Sequence, residues 1–169
     1  MKHELKYFIN QFQSVYIGPN WIGDSIHSVL DDLPAHIAFQ KPPGKRHSIA
    51  EILKHMMVWK YLLVNRLSGD NIYDVDQEES FNTSIYGEAT VETFKKILSD
   101  IDDCQRELIS LLDKAKPELL HVQVAGRNYN MEYLVNGILQ HDIYHLGQLA
   151  FLKKQLLQLH EVKSRGHVL

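Results

Sequence analysis

Apolar residues recur at helical spacing along four long stretches of the chain, and this periodicity constrains the fold more than any other feature. Residues three and four positions apart lie on one face of an α-helix, so each stretch is predicted to bury one side. The pattern predicts an all-α fold, a four-helix bundle. A length of 169 residues fits a single domain, which we assign to residues 1–169.

The first helical region is interrupted. An apolar stripe runs through residues 4–16 and stops at Gly18-Pro19-Asn20, where the chain is expected to turn. A second apolar stripe follows over residues 21–33. We interpret the two stretches as one broken first helix, and residues 35–47, which are rich in proline and glycine, as a loop.

The second helix has a clear start signal. Ser48 and Glu51 have the spacing of a capping box, in which each side chain binds the backbone N–H of the other residue. The helix is predicted to run from there to about residue 67. Residues 70–89 then form a polar excursion of about 20 residues, a length that is usually functional or mobile in a compact domain. We expect this excursion to hold substrate determinants.

Residues 90–114 are predicted to form the third helix, with a buried stripe that includes Cys104. Residues 121–129 alternate and then turn, which indicates a short hairpin or extended loop before the last helix. Asn130 is a suitable N-cap for that helix, which is predicted to continue to about residue 157.

Composition excludes several classes of protein. The net charge of −3 argues against a non-specific nucleic-acid binder, and no apolar run approaches the roughly 18 residues that span a bilayer. The polar N-terminus does not have the pattern of a signal peptide. Cys104 is the only cysteine, which excludes an intramolecular disulfide and a thiolate-rich zinc site. We therefore expect a cytoplasmic protein with no nucleic-acid or membrane partner.

The sequence contains ten histidines, and two of them, His141 and His145, are four residues apart on the last helix. This spacing lets two imidazoles reach one ion. With ten histidines placed at random, however, the average number of pairs at this spacing is already about one half. Their position is more informative, because both fall on the stripe of Leu134 and Ile138. Both are predicted to point inward, where an unpaired polar group is costly.

His55 on the second helix borders the stripe formed by Ile52 and Trp59. A third inward imidazole on another helix is what a metal site in a bundle core requires. Three neutral imidazoles suit Zn, Ni, Co, Fe or Cu and leave coordination positions open. The alternative is that each histidine is a hydrogen-bonded core residue with no metal.

The sequence around these histidines resembles the DinB-like superfamily, including its YfiT-type members regarded as metal-dependent hydrolases. Residues 48–56 and 137–149 carry the resemblance most strongly, and Trp21-Ile22-Gly23 is similar to the family's tryptophan–glycine stretch. The resemblance covers residues 5–155. It implies up-down-down-up connectivity and a homodimer. It identifies His55, His141 and His145 as ligands of a divalent transition metal, with Zn or Ni ranked first and Fe, Co or Mn as alternatives.

The resemblance implies two reactions on a small-molecule substrate. We rank first a low-molecular-weight thiol S-transferase in stress or detoxification, and second a metal-dependent hydrolase that uses metal-activated water. The third hypothesis is a non-enzymatic, metal-stabilised dimerisation or binding module. Such a structural site needs a fourth protein ligand, for example His47 or His121 at about 2.1 Å from the ion.

Other polar residues near the histidines receive structural interpretations. Glu51 is assigned to the capping box and Asp142 to the helix surface, rather than to hydrogen bonds with the ligands. Gln148 is predicted to face the site. The remaining candidates are assigned to the core: Met56, Trp59 and Cys104.

Overall fold

The computed structural model describes residues 2–44 and 47–165, and over these residues the protein is a helical bundle without strands. The predicted all-α class is therefore confirmed. The up-down-down-up order of the helices and the single domain over residues 1–169 stay predictions. The helices are α1 (Lys2–Ile17), α2 (Ile26–Leu30), α3 (Ala35–Ala38), α4 (Ile49–Leu67), α5 (Val91–Lys114) and α6 (Met131–Arg165). Residues 1, 45–46 and 166–169 lie outside the described part.

The four long helices bury their apolar faces against one another. α4 packs on α5 and α6, and α1 packs on the same two helices. Burial of each large apolar side chain contributes roughly 1.5–3 kcal/mol, which offsets the conformational entropy lost when the helices order. Its fully buried members include Phe12, Leu53, Met56, Leu63, Ile97, Ile101, Leu108 and Leu112.

The start of α4 is fixed by the predicted capping box. The Ser48 hydroxyl oxygen accepts a hydrogen bond from the Glu51 N–H at 3.3 Å, and the Glu51 carboxylate accepts one from the Ser48 N–H at 2.7 Å. The Lys41 ammonium binds the same carboxylate at 2.8 Å. Because these contacts are local, they set where the helix begins.

The first helix, predicted as broken over residues 4–16 and 21–33, is interrupted as expected, but the helix predicted over residues 21–33 is wrong in extent, since only Ile26–Leu30 is helical there. The Asn20 side chain accepts hydrogen bonds from the N–H groups of Ile22 and Gly23, which holds these residues in a turn. Trp21 is fully exposed, so no apolar contact opposes that turn.

The loop predicted over residues 35–47 begins instead with the short helix α3. Pro34 precedes it as the N-cap, and Ile37 and Ala38 bury their side chains in the core. Residues 45–46 of the predicted loop lie outside the described part of the chain.

The connection before α6 contains one isolated antiparallel bridge, between Gln123 and Asn130. The predicted hairpin or extended loop is therefore an extended loop closed by a single bridge. α6 then continues to Arg165, eight residues beyond the predicted end. Leu156 near that predicted end is buried, so tertiary packing supports the helix where the sequence pattern weakens.

None of the described helices is both long and apolar enough to cross a membrane.

Candidate metal centre

Three histidines from two helices converge on one point of the bundle. The Nε2 atom of His141 lies 3.0 Å from the Nε2 atom of His55 and 3.0 Å from that of His145. The three ligand-type nitrogens all lie within 4.8 Å of one another. His55 and His145 are 4% and 6% exposed, and His141 is half-buried. The predicted inward convergence of the three side chains is therefore observed.

The helix phases explain this convergence. His141 and His145 are one turn apart on α6 and share a face. His55 lies between the buried residues Ile52 and Met56 on α4. Since α4 packs directly against α6, the inward faces of both helices present their imidazoles to the same space.

The hydrogen bonds of His55 fix its protonation. Its Nδ1 lies 2.6 Å from the hydroxyl oxygen of Ser80, and that hydroxyl donates its proton to the Gln77 carbonyl at 2.6 Å. Because the Ser80 proton is already used, the hydroxyl oxygen accepts from His55, so Nδ1 carries the hydrogen. The Nε2 atom of His55 therefore presents a lone pair to the cluster.

His145 has the same arrangement with a different partner. Its Nδ1 lies 2.7 Å from the amide oxygen of Gln148, which can only accept a hydrogen bond. His145 thus carries its hydrogen on Nδ1 and also presents an Nε2 lone pair. Gln148, predicted from the sequence to face the site, contacts it through the outer nitrogen of His145.

Three neutral imidazoles cannot satisfy all of one another's hydrogen-bonding atoms in this geometry. Burial, together with the neighbouring His145, lowers the pKa of His55 to about 4, and burial lowers the pKa of His141 to about 3. A neutral His141 has one hydrogen and can donate to only one of its two neighbours. The Nε2 lone pair of the other neighbour is then left facing the His141 nitrogen without a hydrogen between them. A divalent cation would accept all three lone pairs, so the donor set fits a transition-metal ion.

His141 is the least constrained of the three rings. Its Nδ1 is buried and has no hydrogen-bond partner among the described residues. The ring packs beside Trp59, with 5.5 Å between the ring centroids. Packing rather than hydrogen bonding therefore orients His141.

A stack of aromatic rings covers His55. The Phe81 ring lies 3.8 Å from the His55 ring and nearly parallel to it, and His47 stacks on the other face of Phe81 at 3.8 Å. Because Phe81 lies between them, His47 does not join the three nitrogens. His121 is exposed at the end of a short 3₁₀ helix and does not join them either.

Ser80 and Phe81 belong to the 3₁₀ turn Glu79–Phe81, within the polar excursion predicted to be functional. Sequence reasoning singled out the excursion but not these two residues. A serine and a phenylalanine in a polar stretch carry no periodic or spacing signal that would have identified them.

The assignment of Asp142 to the helix surface is wrong. Its side chain is 1% exposed and its carboxylate lies 2.7 Å from the ammonium of Lys60, which is 0% exposed. The Lys60 ammonium also lies 5.0 Å from the centre of the Tyr16 ring. Asp142 follows His141 on α6, and this position turns it toward α4 rather than toward water.

The core assignment of Cys104 is confirmed, since the residue is fully buried. Burial raises the pKa of its thiol to about 12. At neutral pH the sulfur is therefore a protonated, inaccessible group and not a nucleophile.

The part of the chain that contains this site is similar to known proteins. A family model described as the DinB superfamily matches residues 21–149, a span that contains all three histidines. An uncharacterized protein of Bacillus subtilis (strain 168), YizA, is 30% identical over 120 residues, which cover 60% of this chain and 76% of YizA. The resemblance predicted from the histidine-bearing segments is thereby confirmed.

Proposed function

The chain belongs to the DinB superfamily, and on that premise we propose that it is an enzyme that holds one divalent transition-metal ion between His55, His141 and His145. The convergence of three neutral Nε2 atoms carries this proposal. Imidazole donors favour Zn or Ni as the native ion, with Fe, Co or Mn as alternatives.

When bound, such an ion supplies Lewis acidity, which can stabilise a thiolate or acidify a water molecule. The protein offers three ligands, so coordination positions remain for a substrate. Phe81 beside His55 and Trp59 beside His141 give the surroundings of the site an apolar character. Such surroundings exclude water and favour binding of a substrate that has an apolar part.

We rank a low-molecular-weight thiol S-transferase first. Hydrolysis usually requires a general base beside the reacting water, most often a histidine or a carboxylate. Among the described residues no Asp or Glu joins the three histidines. A thiol held by the ion would release its proton to solvent water, because the cation lowers the pKa of the thiol. The thiolate sulfur would then form a bond to an electrophilic carbon as the leaving group departs with the electron pair of the broken bond.

A metal-dependent hydrolase is the second candidate, supported by the same open ligand set. The non-enzymatic, metal-stabilised module is less well supported, because a structural site normally has four protein ligands. The group found in residues 2–44 and 47–165 has three.

We also propose that the substrate is a small molecule, that the protein is a cytoplasmic homodimer, and that neither nucleic acid nor membrane is a partner. Light scattering on the purified protein tests the dimer. A mass of one chain, 19.6 kDa, would refute it.

Elemental analysis of purified protein tests the metal. Wild type is expected to carry about one ion per chain after incubation with Zn or Ni and desalting, and His141→Ala is expected to lose most of it. His121→Ala is the matched control, since it removes an exposed histidine outside the site. A wild type that retains no ion would refute the proposal.

A conjugation assay tests the reaction. The metal-loaded protein is mixed with a panel of small thiols and an alkyl halide electrophile, and in parallel with ester and amide substrates. Thiol conjugation that disappears in His141→Ala is expected. Ester or amide turnover without conjugation would reverse the ranking of transferase and hydrolase.

A further inference from the structure

We propose that Ser80 is a positioning residue of this centre, which holds His55 in the tautomer whose Nε2 lone pair faces the other two histidines. The inference deepens the proposed function, since it assigns to the excursion between α4 and α5 a role in ion binding. It rests on the hydrogen bond from His55 Nδ1 to Ser80 and on the way the protein holds Ser80 in place.

Toward His55, the Ser80 hydroxyl can only accept a hydrogen bond. It donates to the Gln77 carbonyl at 2.6 Å, which leaves its lone pairs for the His55 Nδ1–H. Ser80 is itself 2% exposed, so water does not compete for this bond. The hydroxyl therefore selects one His55 tautomer.

The turn that carries Ser80 is anchored on both sides. The Asp76 carboxylate accepts hydrogen bonds from the N–H groups of Glu78 and Glu79, at 3.0 and 3.1 Å. The Lys54 ammonium, which extends from α4 next to His55, donates to the Glu79 carbonyl at 2.8 Å. Phe81 then stacks on the His55 ring. The hydroxyl is thus held in place before any ion binds.

His55 has a competing arrangement that this bond excludes. If its hydrogen moved to Nε2, it could donate to the Nε2 atom of His141, 3.0 Å away. A proton would then occupy the space between the two rings, and His55 would have no lone pair for an ion. Residues that orient ligating histidines typically contribute 10- to 100-fold to metal affinity.

The test compares Ser80→Ala with wild type, and uses Ser84→Ala as the matched control. Ser84 is an exposed serine in the same excursion. The first readout is the His55 tautomer in metal-free protein, from ¹H–¹⁵N NMR of histidine-labelled samples, with the signal assigned by its loss in His55→Gln. The second readout is Zn²⁺ affinity, from competition with a chelating dye. Helicity from circular dichroism verifies that each variant is folded.

Wild type and Ser84→Ala are expected to show His55 with its hydrogen on Nδ1. Ser80→Ala is expected to shift toward the Nε2–H form and to bind Zn²⁺ about 10-fold or more weakly. Unchanged tautomer and affinity in Ser80→Ala would overturn the inference, as would weaker Zn²⁺ binding with an unchanged tautomer.

Failure of the proposed function would look different. In that case wild type itself would not bind Zn²⁺, whereas the tautomer comparison in metal-free protein would still decide the role of Ser80.

Discussion

The ammonium of Lys60 and the carboxylate of Asp142 form an ion pair at 2.7 Å in the interior of the bundle, between the two helices that carry the three histidines. Neither side chain reaches water, with 0% and 1% exposed. Removing one partner of such a pair leaves a buried charge without compensation. The pair therefore links α4 to α6, and loss of either partner is expected to destabilise the fold.

We predict that Asp142→Ala lowers the free energy of unfolding by about 3–5 kcal/mol, because it leaves the Lys60 charge buried and unpaired. Urea unfolding followed by circular dichroism measures the loss. The control is Asp103→Ala, which breaks the exposed pair with Arg106 on α5 and is expected to cost at most about 1 kcal/mol. Equal effects in the two variants would show that burial of the Lys60–Asp142 pair is unimportant.

Removal of the ion is expected to leave the fold intact. The apolar faces of α1, α4, α5 and α6 form the core without help from the three histidines. Dialysis against a chelator, or the substitution His145→Ala, should abolish metal binding and leave most of the helical circular dichroism signal. Loss of the helical signal on chelation would mean that metal binding and folding are coupled.

The capping carboxylate of Glu51 should make stability depend on pH. Although burial alone would raise its pKa, the hydrogen bonds with Lys41 and Ser48 outweigh burial and hold the pKa below its ordinary value of 4.5. A lowered pKa in the folded state means that the charged form stabilises the fold above about pH 4.5 and that this contribution is lost as the pH falls through the folded-state value.

Glu51→Gln can keep the hydrogen bond from the Ser48 N–H through its amide oxygen, and it removes the charge together with the ion pair to Lys41. We expect the variant to be about 0.3–1 kcal/mol less stable than wild type at pH 7, with a difference that shrinks below about pH 4.5. Urea unfolding of wild type and Glu51→Gln, at pH 7 and again below about pH 4.5, measures the difference in the free energy of unfolding. A difference that stays constant with pH would contradict the assignment of the effect to the Glu51 charge.

Cys104 should not take part in the proposed thiol transfer. Its thiol is buried and its pKa is raised to about 12, so native protein is expected to react slowly with a thiol reagent such as DTNB and unfolded protein to react fully. Cys104→Ala should retain conjugation activity per folded molecule. Rapid labelling of the native protein, or loss of activity in folded Cys104→Ala, would refute this.

Features of the sequence that act locally were predictable. The capping box of Ser48 and Glu51 gave the start of α4, and the i,i+4 spacing of His141 and His145 placed both rings on one face. Helix phase also predicted that His55 would point inward. Each of these depends on residues within one or two turns of one another.

Features that depend on contacts between distant residues were not predictable. Ser80 lies 25 residues after His55, and nothing in its own neighbourhood indicates that it binds an imidazole. The same holds for Lys60 and Asp142, since a charged residue near the edge of an apolar stripe can point either inward or outward. Asn20 holds Ile22 and Gly23 in a turn at the start of the helix predicted over residues 21–33, through side-chain hydrogen bonds to the backbone that apolar periodicity does not indicate.

The packing of Trp59 against His141 gives the protein an optical reporter of the ion. An open-shell ion such as Ni²⁺ or Co²⁺ held by His141 should quench the emission of this indole, whereas closed-shell Zn²⁺ should not. Trp21, the other tryptophan, is fully exposed, so its emission would dilute the signal. Trp21→Phe would leave a single fluorophore beside the three imidazoles. Titration of that variant with Ni²⁺ or Co²⁺ would then report occupancy of the three imidazoles, in solution and without any substrate.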